Sequence, residues 1–296
     1  MSVDAVRGRV SALSVRREGR PRFGWGWLRW VGIAAIMVFC LFPFYWLINT
    51  SLKTGSDLSS AALAPPHPTL KNYSSIFHND DFLRALRNSA VLSLVTTAIA
   101  LVIGSFAAYA LARLRFPLKF LLLAVVLSIT TFPPIAIAAP VYKLWSDIGL
   151  YDRSLSLGLI LPDLTFTLPL TIYILTSFFR EIPRELEEAA LVDGATRFQS
   201  YYRVVIPLAA PGLVTAGLLA FIFVWNEFLF AITLTASANA RPVPAAIAFF
   251  TGSTQFEIPL GTISAASVVV TVPLIVLVLL FQRRIIAGLT AGAVKG

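Results

Sequence analysis

Long uncharged stretches alternate with short charged interruptions along this chain. Residues 31–48, 88–112, 120–142, 155–179, 207–236 and 260–282 are uncharged or nearly so. Each is close to the ~20 residues that an α-helix needs to cross a hydrocarbon core. The pattern predicts an all-α, polytopic membrane protein with six transmembrane helices and both termini on one side. The most heavily charged interruption between apolar segments, 180–206, reads as two short helices with an elbow. Pro183 suits a first helical turn, and Glu185, Glu187 and Glu188 put negative charge near its positive end. Gly194 fits a left-handed stop. Thr196 with Gln199 forms a capping-box pattern for a second helix, which Pro207 is expected to interrupt. Ile182, Leu186, Ala189 and Ala190 share one face, so the hairpin has an apolar side to bury.

The interruptions on the opposite side are less regular. Residues 51–87 carry Pro65, Pro66 and Pro68 with Tyr73, Phe77 and Phe82, which suggests an ordered lid or a short surface helix. Residues 237–259 are rich in Gly, Pro, Ser and Thr and read as a loop able to reach an external partner. Within the spans, Gly104 and Ala108 have the four-residue spacing that lets helices approach closely. Pro133-Pro134 and Pro140 are expected to bend the third span, and Pro211 and Pro273 to kink the fifth and sixth. No internal repeat with matching broken helices is evident, which argues against a secondary transporter.

Composition agrees with a membrane setting. The 296 residues are 57% hydrophobic and 13% charged, with mean hydropathy +0.79. Soluble domains carry about 25% charged residues. The net charge of +9 is unevenly placed rather than spread as a nucleic-acid surface. Seventeen of the 24 Lys and Arg residues fall in the N-tail (1–29), the 113–119 loop, the 180–206 hairpin and the C-tail, and seven on the other side. That excess sets the tails and hairpin in the cytoplasm. The Arg-rich N-tail resembles a targeting peptide, but the apolar run behind it is long enough to span, so it reads as a retained first helix. Cys40 is the single cysteine and excludes an intrachain disulfide.

Candidate chemistry is sparse. Asp163 and Glu227 are carboxylates within apolar segments, where charge is a functional candidate by default. With Tyr142, Trp145, Trp225 and Asn226 they could offer hydrogen bonds and aromatic faces to a sugar. A structural pair or a hydrated interfacial position is an equal alternative. His67 and His78 read as surface histidines rather than a metal site, and no metal is expected. There is no G-x-x-x-x-G-K-[ST] phosphate loop and no Ser/His/Asp arrangement, so the chain has no sign of an enzyme of its own. On pattern alone the hairpin reads equally as a solvated linker; a DNA-binding helix-turn-helix is argued against by its tethering to membrane segments at both ends.

Glu188-Ala189-Ala190, then Gly194, then Val204-Val205-Ile206-Pro207 resemble the EAA loop of ABC importer permeases, with Val-Val-Ile-Pro in place of the usual Ile-x-Leu-Pro. The end of the chain, Gln282 to Gly296, resembles the C-tail of MalG-type permeases. Trp225-Asn226-Glu227-Phe228, the segment from Ala108 to Arg113 and that from Phe178 to Pro183 match the same family in order and spacing. The similarity covers about 47–296, and residues 249–257 look closest to the trehalose importer branch.

The resemblance implies the type I importer (MetI-like) fold and an ATP-driven importer of a carbohydrate, such as the disaccharides trehalose or maltose. A permease for another solute is the alternative, and a secondary transporter a more distant one. It implies a six-helix domain at 30–282 (core about 84–282) between the N-tail and a tail at 283–296, multi-pass in the plasma (inner) membrane. A second homologous permease, two copies of a cytoplasmic ATPase and an extracytoplasmic sugar-binding protein or lipoprotein would be its partners, with lipid around it and no nucleic acid. ATP and Mg would be bound by the ATPase and no cofactor by this chain. Glu187, Glu188, Ala189, Ala190, Asp193, Gly194 and Pro207 would couple to the ATPase. Gly288, Leu289, Thr290, Gly292 and Lys295 would enter the ATPase interface, and Gly252, Ser253, Thr254, Gln255 and Phe256 would insert into the binding protein as a scoop.

Overall fold

The computed structural model describes residues 26–250 and 259–291, with side chains for 27–250 and 259–282. The N-tail arginines before residue 26, the scoop residues Gly252 to Phe256, and Gly292 and Lys295 lie outside that range, as do the side chains of Leu289 and Thr290. The described chain is helical, with no strand among the described residues. It divides into two compact units, Met1–Trp46 and Leu47–Gly296.

Helix α1, Gly26–Ser51, runs through the first unit into the second. Its apolar side chains point outward: Trp30 is 67% and Phe39 81% exposed, as lipid contact requires. In the second unit, α2 (Lys71–Phe77) is the short surface helix expected in 51–87. It is pinned by Asn72, whose Nδ2 donates to the carbonyls of Ser51 and Lys53 at 2.8 Å each. Buried Lys53 turns its Nζ onto the carbonyls of Ser60 and Ala62 at 3.1 and 3.0 Å.

The centre of the unit is a pair of long helices, α3 (Asp80–Arg113) and α6 (Ile160–Glu181). Asn79 caps α3 by accepting the N–H groups of Asp81 and Phe82. The pair runs parallel, because its two ends are tied in the same register. At one end Asn88 Nδ2 and Ser156 Oγ both donate to carbonyls of the 238–241 turn. At the other, Arg113 donates to the carbonyl of Ile182 at 2.9 Å. Midway, Gly104 lets the helices touch: a Cβ there would lie 2.7 Å from Thr171 Cγ2. Thr171 cannot rotate away freely, since its hydroxyl donates to the carbonyl of Thr167. Gly104→Ala is therefore expected to destabilise the protein by about 1–3 kcal/mol. A lower midpoint in thermal unfolding checks it, and adding Thr171→Ser, which removes that methyl, should restore most of the loss.

Two expected spans are not straight rods. The third is α4 (Lys119–Ser128), extended by a 3-10 turn to Thr131, and α5 (Pro134–Asp147), meeting at 88°. Phe132 is extended there (φ −74°, ψ 128°), the conformation that a following proline imposes. The second departure begins behind the hairpin. The segment Arg197–Leu208 meets α10 (Ala210–Trp225) at 75°. The break falls at Ala209, ahead of Pro211, rather than at Pro207. A π-turn at Tyr201–Val205 passes Pro207 without ending the helix. Helix α10 then stops after 16 residues, and α11 (Leu229–Leu234) starts anew. Among the described residues, four helices are long and apolar enough to cross a membrane, or up to six if each bent pair is one span. The unit is completed by α12 (Val243–Ala248) and by α13 (Leu260–Ala291), which contains Pro273.

Candidate functional site

The hairpin is built by local rules. Ile182 and Pro183 are extended, and α7 (Arg184–Val192) follows with Glu185 and Glu187 in its first turn. Its end is a Schellman stop: Ala195 N–H donates to Ala190 O at 2.9 Å, and Gly194 N–H to Leu191 O at 3.1 Å. Gly194 sits at φ +86°, open to glycine at no steric cost. Helix α8 (Arg197–Ser200) opens on a complete capping box: Thr196 N–H donates to Gln199 Oε1, and Gln199 N–H to Thr196 Oγ1.

The apolar side of this hairpin is covered only in part by its own chain: of the face expected at Ile182, Leu186, Ala189 and Ala190, Ile182 is buried with Phe179, Val205 and Ala209, while Phe198 stacks on Phe106. Leu186, Leu191, Val192 and Phe198 are 43, 40, 87 and 61% exposed, and Glu188, Ala189, Asp193 and Gly194 lie open beside them. Ala190 is half-buried, and Pro207 begins the short helical turn Ile206–Leu208 (α9) behind the hairpin. Glu187 differs from its neighbours. Its carboxylate turns inward, forming an ion pair with Arg113 and accepting a hydrogen bond from Tyr109 Oη at 2.9 Å. The Arg113 and Glu187 side chains are only 7% and 12% exposed. Arg113 also holds the Ile182 carbonyl, so one guanidinium ties the last turn of α3 to both the start and the body of the hairpin.

An aromatic bed lies underneath. The Tyr109 ring meets Tyr201 edge-on at 5.0 Å, and Tyr201 Oη donates to Ser105 Oγ at 2.8 Å. Phe179, Val205 and Ala209 close the core below. These contacts tie the hairpin to α3. Tyr109 and Arg113 had no assigned role in the sequence; their i,i+4 spacing at the end of an apolar helix was the available signal.

At the other end of the molecule lie the six residues considered for a substrate path, and among them Asp163 and Glu227 come close enough for each to feel the other's charge. Trp145 and Trp225 are buried, and their indole N–H groups are occupied by the carbonyls of Gly158 and Val270. Tyr142 is exposed and stacks edge-on with Tyr151, while exposed Asn226 bonds back to Ile222 O. Glu227 is a helix cap: its carboxylate accepts the N–H groups of Phe230 and Ala231 at 2.7 and 2.9 Å, which is what starts α11. Asp163 is fully buried, with no hydrogen-bond partner for either oxygen among the described residues.

Asp152 organises the neighbouring loops. Its Oδ1 accepts the N–H groups of Ala236 and Ser237 at 2.8 Å each. Partial burial works against its charge, but those two donors and the nearby Arg241 outweigh it and hold the carboxyl below its ordinary range. Arg241 in turn donates to Ala236 O and lies 4.0 Å over the Phe249 ring.

Long apolar helices and two bent helix pairs, packed around a parallel helix pair that ends in an exposed hairpin, fit a multi-pass membrane protein. Residues 100–290 match the family described as "Binding-protein-dependent transport system inner membrane component", and the chain belongs to it. Among its relatives is the trehalose transport system permease protein SugB of Mycobacterium tuberculosis, 52% identical over 268 residues, covering 90% of this chain and 97% of that one. The trehalose/maltose transport system permease protein MalG of Thermococcus litoralis is 38% identical, covering 90% and 95%. The sulfoquinovosyl glycerol transport system permease protein SmoH of Agrobacterium fabrum is 39% identical, covering 91% and 94%. A chain of a bacterial ABC transporter that imports alginate shares the fold, with TM-score 0.75, 21% identity and coverage of 88% and 95%. Such relatives are permease subunits, not enzymes by themselves.

Proposed function

We propose that this chain is the permease subunit of an ATP-driven importer that carries a carbohydrate, a disaccharide such as trehalose, across the plasma membrane. The observation that carries the coupling half of this reading is the hairpin: a partly uncovered apolar face on a body latched to α3 through Glu187, Arg113 and Tyr109. A surface of that kind needs a partner, and a cytoplasmic ATPase is the partner that the EAA resemblance implies. Two ATPase copies, binding ATP and Mg, would close and drive the hairpin. A second related permease would complete the path. The uneven Lys and Arg distribution supports cytoplasmic tails and hairpin. Glu188, Ala189, Ala190 and Asp193 would meet the ATPase, Gly194 would set the elbow, and the tail from 283 would reach the ATPase interface. Residues 252–256 would meet the binding protein. The sugar class rests on the similarity to permeases for trehalose, maltose and a sulfoquinovosyl glycoside.

Reconstitution tests the reading. The chain, purified with its partner permease and ATPase and placed in proteoliposomes, should accumulate labelled trehalose only with internal ATP and external binding protein. Accumulation driven without ATP overturns the coupling assignment. ATP-dependent uptake of a non-carbohydrate solute alone overturns the substrate class.

A further inference from the structure

Between the hairpin and the end of α3 lies a cavity of about 380 Å³. Arg113, Arg115, Arg184 and Arg197 line it, against the carboxylates Glu187 and Glu188. Arg113 is engaged by Glu187 and by the Ile182 carbonyl. Arg115, Arg184 and Arg197 make no hydrogen bond or ion pair among the described residues, which leaves three guanidinium forks around one space. A second feature has no account within the chain. Ser200 also lines the cavity, is only 2% exposed, and its Oγ has no hydrogen-bond partner among the described residues. A buried hydroxyl left unmatched is uncommon in a folded protein and costs free energy. Here it stands among cations that share its need for an acceptor.

We propose that this cavity binds a phosphate ester. A phosphate presents several oxygens at once, enough for more than one planar guanidinium fork and for the Ser200 hydroxyl together. A single carboxylate would leave part of that donor set unmatched. A bare phosphate would leave much of the volume empty, so the group carries a substituent. Two sources share this chemistry. One is the headgroup of an anionic lipid, since Arg113 closes the long helix α3 and Arg184 opens the hairpin three residues after the end of α6, and basic pockets at such helix ends attract headgroups. The other is a soluble phosphate ester. The site shares Glu188 with the surface that the coupling reading gives to the ATPase, but its readout is binding rather than uptake, so the two readings fail separately.

The test uses the complex of both permeases and the ATPase, delipidated in detergent and examined by native mass spectrometry. Phosphatidylglycerol is titrated in one arm and glycerol 3-phosphate in the other. Saturable binding of either supports the site and identifies the source. The Arg115→Gln, Arg184→Gln, Arg197→Gln triple variant should weaken that binding by at least about 100-fold, because three charge-assisted contacts are lost together. Replacement of the same three by lysine should weaken it by about tenfold, since charge remains but the fork does not. If the triple glutamine variant fails to assemble, Ser200→Ala is read alone: binding at least about fivefold weaker supports the site, and unchanged binding overturns it. Binding of neither probe, wild-type binding by the triple glutamine variant, or cross-linking that finds an acidic ATPase segment filling the cavity also overturns it.

Discussion

Arg113→Ala is expected to reduce ATP-driven uptake by about two orders of magnitude while leaving membrane insertion intact. The substitution removes the charge partner of Glu187, whose side chain is only 12% exposed, and frees the Ile182 carbonyl in the same step. Breaking one half of a buried pair costs about 3–5 kcal/mol, because the remaining charge is left without compensation. Even the lower figure shifts the ratio of latched to unlatched hairpin about 150-fold. Tyr109 still donates to Glu187, but a single phenol does not replace a guanidinium that also holds Ile182. Uptake into proteoliposomes is one measurement, and ATPase stimulation by loaded binding protein is the other. Nucleotide hydrolysis should persist while its stimulation disappears, as for a motor that has lost its linkage. The double variant Arg113→Met, Glu187→Met should recover thermal stability, since an apolar pair of similar volume replaces a buried ion pair at little cost. Wild-type uptake by a well-inserted Arg113→Ala protein would sink the latch.

Gly194→Asp should abolish uptake through a different physical route. Gly194 has φ +86°, where an L-residue pays about 1–2 kcal/mol. Nothing lies within 4 Å of the position a Cβ would take, so the chain itself has room for the new side chain. The damage falls on whatever docks there: a carboxylate is placed at the elbow, next to the exposed Leu191 and Val192. Gly194→Ala separates the two costs, since it pays the backbone strain without the charge. An alanine variant that keeps most of its uptake beside an inactive aspartate variant identifies the elbow as a docking surface. Loss in both identifies backbone shape as the requirement. Normal uptake by the aspartate variant removes the coupling role of the hairpin.

The hairpin was readable before any coordinates because each of its devices is local. Pro183, the Gly194 stop and the Thr196–Gln199 box each involve residues a few positions apart, and short-range geometry decides them. Helical spacing placed an apolar side at Ile182, Leu186, Ala189 and Ala190, of which Leu186 and Ala189 are exposed and Ile182 packs into the core. The exposure of Leu186 follows the same logic at the level of the fold, since no element of the described chain covers it.

What was not readable lies in pairs far apart along the chain. Tyr109 and Glu187 are 78 positions apart, and nothing in either segment announces the other. Glu187 and Glu188 are indistinguishable as letters, yet one turns into the protein and the other out of it. Trp145 and Trp225 look like sugar platforms in sequence, but their N–H groups are consumed by Gly158 and Val270. The expected rod at 207–236 fails because Glu227 captures the backbone of Phe230 and Ala231 and begins a new helix.

Hydropathy and local capping were thus enough, by themselves, to make this chain a bundle of membrane helices with a charged two-helix hairpin on one end. They act within a few residues, and their free energies do not depend on what lies elsewhere. Only the packed structure decided which glutamate is a latch and which is free, and that three unpaired arginines and a buried serine face one cavity. Those outcomes depend on the register between α3 and α6, which a close contact at Gly104 and tied ends set in three dimensions.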